Sequence, residues 1–331
     1  MYISIIIAMY NAEKYLRQCL DSVQACPDKN IECIMVNDGS TDDTMDIGKE
    51  YVQKDSRFYL INKENTGVSD SRNVGVGRAS GEYIFFLDSD DFIKPEMWPL
   101  LCGYAKDDRY DIAAFGYESL FPSGKAQMER FLIETDISDK TEDMHRQILA
   151  TPMLNTCWGK LLKRKIIMEN ALKFREDLKT CEDAVFMIDF IQCASGTLLC
   201  NTSVLYYRIN EDGAMYRTDI NQKLKDFYVL YCRRKGFIVE HSDETMRPGM
   251  LRESFSVVTD LLLRQAMGKS VRELQDEYRE ILLKPPIDDI LTQINSVHLT
   301  PYYKKMEYFL LRHQSYFWLA FYFKMKNCFA Q

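Results

Sequence analysis

Tyr83-Ile-Phe-Phe-Leu-Asp-Ser-Asp-Asp91 is an apolar run of five residues that leads directly into three aspartates. Such a run predicts a strand buried on both faces, as in a parallel sheet. Crowded carboxylates repel one another, so each must be solvated, paired or bound to a metal. Two interpretations fit: an oxygen-rich site for Mg²⁺ or Mn²⁺ shared with phosphates, or an acidic loop that caps a helix beginning near Pro95 and Glu96.

The sequence before this run alternates strand and helix patterns. A helix cap is predicted at Ser40 with Asp43. Repeated βα units of this length predict an α/β fold, with a mostly parallel central sheet flanked by helices. The predicted strands cover residues 2–9, 31–36, 58–61, 83–87, 112–117 and 204–208. The predicted helices begin at Glu13 and directly after the cap at Ser40, cover residues 69–79, 138–150 and 180–193, and continue after residue 221 as a helical C-terminal extension.

Polar residues follow three of the predicted strands. Tyr10 comes after the first strand, Asp38 after the second, and the aspartates after the fourth. Parallel sheets bind ligands outside the carboxyl ends of their strands, so these residues are expected at one edge. Asp38 fits either a carboxylate that accepts the imide N–H of uracil, with Tyr10 stacked on the base, or an Asx turn.

A second acidic pair, Glu182-Asp183, lies near the start of a predicted helix. The pair fits ordinary charge at the positive end of a helix dipole. A catalytic interpretation requires a partner site elsewhere in the fold.

Composition excludes several classes of protein. The chain has 331 residues, 46% hydrophobic and 27% charged, as an ordinary globular protein does. Its net charge of −7 argues against nucleic-acid binding. The ten cysteines and four histidines show no zinc-binding spacing. The cysteine pattern and the lack of an apolar run of about 18 residues predict a reduced, cytoplasmic protein.

Five motifs in order over residues 4–186 strongly resemble bacterial glycosyltransferase family 2. They are Ser4-Ile-Ile-Ile-Ala-Met-Tyr-Asn11, Val36-Asn-Asp-Gly-Ser-Thr-Asp-Asp-Thr44, Asn65-Thr-Gly-Val-Ser-Asp-Ser-Arg-Asn-Val-Gly75, Gly81-Glu-Tyr-Ile-Phe-Phe-Leu-Asp-Ser-Asp-Asp91 and Cys181-Glu-Asp-Ala-Val-Phe186. The resemblance implies a GT-A fold and inverting transfer from a nucleotide diphosphate sugar, with a UDP-sugar as the expected donor. The acceptor is expected to be a hydroxyl of a glycan or lipid-linked molecule in cell-surface polysaccharide synthesis, such as capsule or O-antigen.

The resemblance also implies roles for individual residues. Asp183 matches the general base, and Asp88 and Asp90 match a DxD motif that holds Mg²⁺ or Mn²⁺. Asp88 is also expected to approach the ribose. The other residues expected to bind the nucleotide sugar are Tyr10, Asp38, Arg72, Lys160 and Arg208, and the last two are expected to steady the diphosphate.

Two other functions share parts of this pattern. A dinucleotide-binding oxidoreductase needs G-x-G-x-x-G after the first strand, and Ala8-Met-Tyr-Asn11 has no glycine there. A sugar nucleotidyltransferase or an inactive nucleotide-sugar-binding module remains as an alternative to the transferase.

The expected domains are a catalytic domain over residues 1–215 and a helical region over residues 216–331. Within the first, residues 1–100 are expected to bind the nucleotide sugar and residues 101–215 the acceptor. From Tyr302 onwards, five Lys or Arg and one Glu give a net charge of +4 among many aromatic residues. This region fits peripheral contact with the inner face of a membrane, or a helical hairpin that packs its aromatic residues on the catalytic domain or on a second subunit.

Overall fold

The computed structural model describes residues 2–131, 135–137, 149, 152–210, 218–266, 269–294, 299 and 302–330. The chain divides into two compact units. The first comprises Met1–Ile148 and Met153–Thr218, and the second comprises Leu149–Pro152 and Asp219–Gln331.

Four parallel strands form the start of the first unit, in the order β3-β2-β1-β4. The strands are β1 (Ile3–Met9), β2 (Ile31–Asp38), β3 (Phe58–Lys63) and β4 (Tyr83–Phe86), and the helices between them are α1 (Glu13–Gln24), α2 (Thr44–Lys54) and α3 (Val68–Arg78). Strands β1, β2 and β4 are buried almost throughout, as their continuous apolar sequences predict. The predicted alternation is therefore confirmed in this part of the chain.

The rest of the first unit extends this sheet to ten strands among the described residues, in the order β4-β9-β6-β10-β5, with β7 on β6 and β8 on β10. These strands are β5 (Phe92–Ile93), β6 (Ile112–Leu120), β7 (Ala126–Glu129), β8 (Thr135–Ile137), β9 (Lys160–Lys163) and β10 (Thr197–Arg208), and the helices are α4 (Trp98–Asp107), α5 (Arg164–Glu169) and α6 (Glu182–Cys193). Strand β9 runs antiparallel between β4 and β6, so the sheet is mixed. The predicted helix over residues 138–150 falls outside the described residues except at Leu149.

The predicted cap at Ser40 is wrong. Helix α2 begins at Thr44, after Asp43, and no side chain caps it. The Ser40 hydroxyl instead donates to Asn37 Oδ1 over 2.6 Å and accepts from the Asn11 amide over 3.0 Å. Ser40 therefore joins the turns that follow β1 and β2.

The second unit is helical, as predicted. Its helices are α7 (Ile220–His241), α8 (Arg247–Gln265), α9 (Val271–Ile281), α10 (Ile287–Gln293), α11 (Tyr302–Arg312) and α12 (Tyr316–Ala330). Ser270 and Glu273 form a capping box at the start of α9. Within the described residues, no helix combines the length and apolarity that a membrane crossing requires.

Candidate active site

Asp38 lies at the carboxyl end of β2 and is almost fully buried. Its Oδ1 accepts from the Thr66 amide and its Oδ2 from the Gly67 amide, each over 2.9 Å, and Lys63 also pairs with Oδ1. A carboxylate offers about four acceptor positions, so Asp38 retains capacity for one more donor. Its amide partners lie in the loop before α3, whereas an Asx turn would place them two residues beyond Asp38.

Tyr10 directly follows β1, whose parallel register with β2 ends at the pair Met9 and Asn37. The Tyr10 side chain is 50% exposed. The next residue, Asn11, has a φ of 47° and accepts from the Thr41 amide over 2.9 Å. The turn after β1 is thus held against the turn after β2, and both Tyr10 and Asp38 belong to this edge of the sheet.

The aspartates after β4 contact other parts of the first unit and do not cap a helix. Neither the 3₁₀ turn at Pro95–Met97 nor α4 has a side-chain cap, so the helix-capping interpretation of this cluster is wrong. Asp91 is buried, and its Oδ1 accepts from the Arg208 amide over 2.7 Å. Asp90 Oδ2 accepts from Asn210 Nδ2 over 3.3 Å.

Burial and mutual repulsion act strongly on these carboxyls. Burial, with Asp183 and Asp90 nearby, raises the pKa of Asp88 to about 6, although Arg72 opposes the shift. Burial, with Asp88 and Asp90 nearby, raises the pKa of Asp91 well above its usual value. A bound cation would relieve this repulsion and favour the ionised forms.

The donor set fits a divalent cation that is shared with a substrate. Within the described ranges, no three His, Cys, Asp or Glu side chains are arranged to hold a metal by themselves. Mg²⁺ commonly takes one or two protein carboxylates and completes its shell with water and phosphate oxygens. Asp88 and Asp90 provide two such carboxylates, and the buried Oδ2 of Asp91 has no hydrogen-bond partner.

Arg72 joins Asp88, in the loop after β4, to the acidic pair Glu182 and Asp183. Its Nη2 donates to Asp88 Oδ1 over 3.0 Å, while its Nη1 donates to Asp183 Oδ1 over 2.6 Å and to Glu182 Oε1 over 3.0 Å. The guanidinium is buried and lies 5.3 Å from the centre of the Phe174 ring. One cation thus holds three carboxylates, one from the loop after β4 and two from α6, in a single cluster.

Glu182 and Asp183 begin α6, after Cys181 with a φ of 64°. Burial and the neighbouring Asp183 raise the pKa of Glu182 to about 7, while Arg72 opposes the shift. Asp183 Oδ2 accepts from the Cys157 amide over 3.3 Å. Arg72 therefore connects this pair to Asp88, and Asp88 belongs to the second site that a catalytic interpretation of the pair requires. Glu182 was not among the predicted site residues, although its place beside Asp183 could have indicated it.

Asn73 and Phe174 fix the position of α6, and sequence reasoning missed both. The side chain of Asn73 donates from Nδ2 to the Phe174 carbonyl and accepts at Oδ1 from the Phe174 backbone amide, each over 2.9 Å. The Phe174 ring stacks on Phe186 of α6, with 4.0 Å between ring centres. The residue after Arg72 therefore ties α3 to the helix that carries the acids.

Arg208, at the end of β10, contacts the loop that contains Asp90. Its Nε donates to the Asp90 carbonyl over 3.0 Å, and its Nη2 donates to Gln18 Oε1 over 2.8 Å. The guanidinium lies 4.3 Å from the centre of the Tyr15 ring. Arg208 thus lies at the site, and a contact with the diphosphate stays a prediction.

Lys160, at the start of β9, is only 2% exposed. Its ammonium donates to Thr156 Oγ1 over 3.0 Å and to the Trp158 carbonyl over 3.1 Å. These two residues flank Cys157, whose amide donates to Asp183. Lys160 therefore holds the loop behind the acid pair, and its predicted contact with the diphosphate is not tested by these contacts.

Replacing Lys160 with Met should change how stability depends on pH. Burial lowers the pKa of Lys160 to about 7 from 10.5, so between these pH values the unfolded chain binds more protons than the folded chain. The contribution of Lys160 to the free energy of unfolding therefore rises with pH, by about 2 kcal/mol from pH 7 to pH 9. Denaturant unfolding of the wild type and Lys160→Met at both pH values should show the wild type gaining this amount relative to the variant. Parallel changes in the two proteins would contradict the lowered pKa.

The chain is similar to known proteins in sequence and in fold. Residues 4–169 match glycosyl transferase family 2. The putative glycosyltransferase EpsH of Bacillus subtilis (strain 168) is 33% identical over 242 residues, which cover 72% of this chain and 70% of EpsH. The poly(ribitol-phosphate) beta-glucosyltransferase of Bacillus spizizenii is 30% identical over 217 residues, 64% of this chain and 33% of that protein.

A solved structure is similar over the whole chain. The crystal structure of S. aureus TarS 1–349 in complex with UDP matches with a TM-score of 0.67 and 19% identity, covering 100% of this chain and 92% of that chain. At this identity the likeness shows the fold, and it confirms the predicted α/β fold with C-terminal helices.

Proposed function

Because the chain belongs to glycosyltransferase family 2, we propose that it transfers a sugar from a UDP-sugar to a hydroxyl group with inversion at the anomeric carbon. The observation that carries this proposal is the Arg72 bridge, in which one guanidinium contacts Asp88 after β4 and Asp183 on α6. A carboxylate suited to a metal and a carboxylate suited to a proton thus belong to one site. TarS, which shares the fold, was solved with UDP.

Asp38 and Tyr10 are the proposed contacts of the uracil base. The remaining acceptor capacity of the Asp38 carboxylate suits the imide N–H of uracil. The exposed Tyr10 ring suits stacking on the face of the base. Cytosine has no imide N–H, so the same carboxylate would discriminate against it.

Asp90 and Asp88 are the proposed ligands of Mg²⁺ or Mn²⁺. When bound, such a cation neutralises the negative charge that develops on the departing diphosphate. Arg208 orders the main chain at Asp90 and is proposed to steady the diphosphate together with Lys160. Desolvation and the neighbouring carboxylates raise the pKa of Asp88, and a bound cation would favour its ionised form.

Asp183 is the proposed general base. An acceptor hydroxyl is a weak nucleophile, and a carboxylate that takes its proton accelerates attack on the anomeric carbon. Arg72 and the Cys157 amide both contact the Asp183 carboxylate and fix its position. Attack from the face opposite the diphosphate in one displacement inverts the configuration.

The proposed acceptor is a hydroxyl of a glycan or lipid-linked molecule in cell-surface polysaccharide synthesis, such as capsule or O-antigen. Similarity to a poly(ribitol-phosphate) beta-glucosyltransferase supports an acceptor from the cell surface.

A screen of nucleotide sugars tests the proposal. The protein is incubated with UDP-, GDP- and dTDP-sugars, with Mn²⁺, with Mg²⁺ or with EDTA, and release of the nucleotide diphosphate is measured. We expect release from at least one UDP-sugar with a metal, and none with EDTA. Metal-independent release, or release only from GDP- or dTDP-sugars, would overturn the metal or the nucleotide assignment respectively.

Arg72→Lys should separate positioning from donor binding. Lysine keeps the positive charge but lacks the planar fork that reaches Asp88 and Asp183 together. Misplacement of reacting groups should lower kcat by roughly 10- to 100-fold, with little change in the donor KM. Arg78→Lys, on the exposed end of the same helix, is the matched control. A rise in donor KM with kcat unchanged would instead assign Arg72 to donor contact.

A further inference from the structure

Helices α11 and α12 carry an exposed apolar face in the second unit. The exposed side chains are Met306, Phe309, Phe317, Trp318, Phe321 and Met325. The Trp318 ring lies edge-on to both Phe317 and Phe321, with ring centres 5.4 Å and 6.1 Å apart. On α12 the aromatic residues therefore form a continuous patch rather than isolated exposed rings. Contiguous exposed apolar surface of this kind typically marks an interaction site.

This face is not the packing face of the two helices. Leu319, Ala320 and Phe323 of α12 are buried, and Phe323 meets Tyr278 of α9 edge-on at 6.2 Å. Leu311 of α11 is also buried. One side of α12 thus packs within the second unit, and the other side presents aromatic rings to solvent.

The charged side chains of α11 and α12 are also divided between buried and exposed positions. The single acid of these two helices, Glu307, is fully buried. Lys326 Nζ lies 2.7 Å from Glu307 Oε1, and Lys304 Nζ lies 3.2 Å from Oε2. Lys305 and Arg312 are exposed. Among the described side chains of α11 and α12, the exposed ones therefore include aromatic and basic groups and no acid.

We propose that this face of α11 and α12 docks on an anionic lipid surface. Aromatic rings favour the interface between lipid headgroups and acyl chains, and neighbouring bases are attracted to anionic headgroups. The described helices are not able to cross a membrane, so the helices would lie on the surface. The proposal goes beyond sugar transfer and does not depend on the donor or the base.

Intrinsic fluorescence reports this contact directly. The chain has three tryptophans, and Trp98 and Trp158 are buried whereas Trp318 is 60% exposed. Vesicles of equal parts phosphatidylcholine and phosphatidylglycerol should shift the emission of the full chain to shorter wavelength. Trp318→Phe should abolish the shift, and pure phosphatidylcholine vesicles should produce little of it. A shift that survives in Trp318→Phe would overturn the proposed face.

Vesicle co-sedimentation of Trp318→Ser/Phe321→Ser is the second test. We expect at least a fivefold lower bound fraction than for the wild type on the anionic vesicles. Val239→Ser/Leu283→Ser, which replaces two exposed apolar residues elsewhere in the unit, should bind as the wild type does. Equal binding by the Trp318/Phe321 variant would contradict the proposal. A dimer in sedimentation velocity that this variant dissociates, with no vesicle binding by the wild type, would show that a second copy covers the face.

Asp183→Asn keeps this surface and removes the proposed base. Its vesicle binding should equal that of the wild type even if transfer is lost. Failure of the membrane proposal and failure of the proposed function are therefore distinguished by one variant.

Discussion

Asp183→Asn should lower sugar transfer by about 10²- to 10⁴-fold, the range typical of general-base catalysis, while binding of UDP stays near normal. The amide has the shape of the carboxylate but cannot take the proton of the acceptor hydroxyl. Arg72 also loses one of its three carboxylate partners, although Asp88 and Glu182 still hold it. Initial rates of UDP release with acceptor, and calorimetry of UDP binding with Mn²⁺, measure the two effects separately.

Asp189→Asn is the matched control, because it makes the same change farther along α6. Its rate should stay close to that of the wild type. If Asp183→Asn turned over nearly normally, Asp183 would not be the base. The neighbouring Glu182 would then be the next candidate, since it also contacts Arg72.

Asp90→Ala should abolish transfer and also weaken metal-dependent nucleotide binding. Loss of several kcal/mol of charge stabilisation by the cation corresponds to a rate lower by on the order of 10³-fold. Unlike Asp183→Asn, this change should reduce the difference in UDP affinity between Mn²⁺ and EDTA. Titration calorimetry of UDP in both conditions measures that difference.

Asp46→Ala controls for the loss of a carboxylate elsewhere in the first unit. Asp46 is exposed on α2, where it pairs with Lys49, and its removal should change neither rate nor affinity. An unchanged metal effect on UDP binding in Asp90→Ala would remove Asp90 from the metal site. A lower rate with an intact metal effect would assign Asp90 to catalysis alone.

Local sequence patterns correctly predicted the buried strands near the start of the chain. The apolar runs of β1, β2 and β4 are buried on both faces, and such runs are recognisable without knowledge of their neighbours. Strand β9 was missed, because Lys160-Leu-Leu-Lys163 is short and has a charge at each end. Its place between β4 and β6 depends on pairing with distant segments.

The site was predicted as separate clusters, and the structure shows what joins them. The Arg72 contacts span 110 and 111 residues to α6, which no local pattern records. Burial of Lys160 could not be predicted either, since lysine is almost never fully buried without a partner. Ser40 followed by Asp43 resembles a helix cap, but the tertiary contact with Asn11 takes its hydroxyl.

The stereochemistry of donor hydrolysis tests the central claim most directly. In the absence of acceptor, the protein is given Mn²⁺ and the UDP-sugar that it hydrolyses fastest, and proton NMR records the anomeric signals of the released sugar before it mutarotates. An α-linked donor should first yield the β sugar in the wild type, and Asp183→Asn should release it far more slowly. The α sugar as the first product would contradict a single displacement with Asp183 as base.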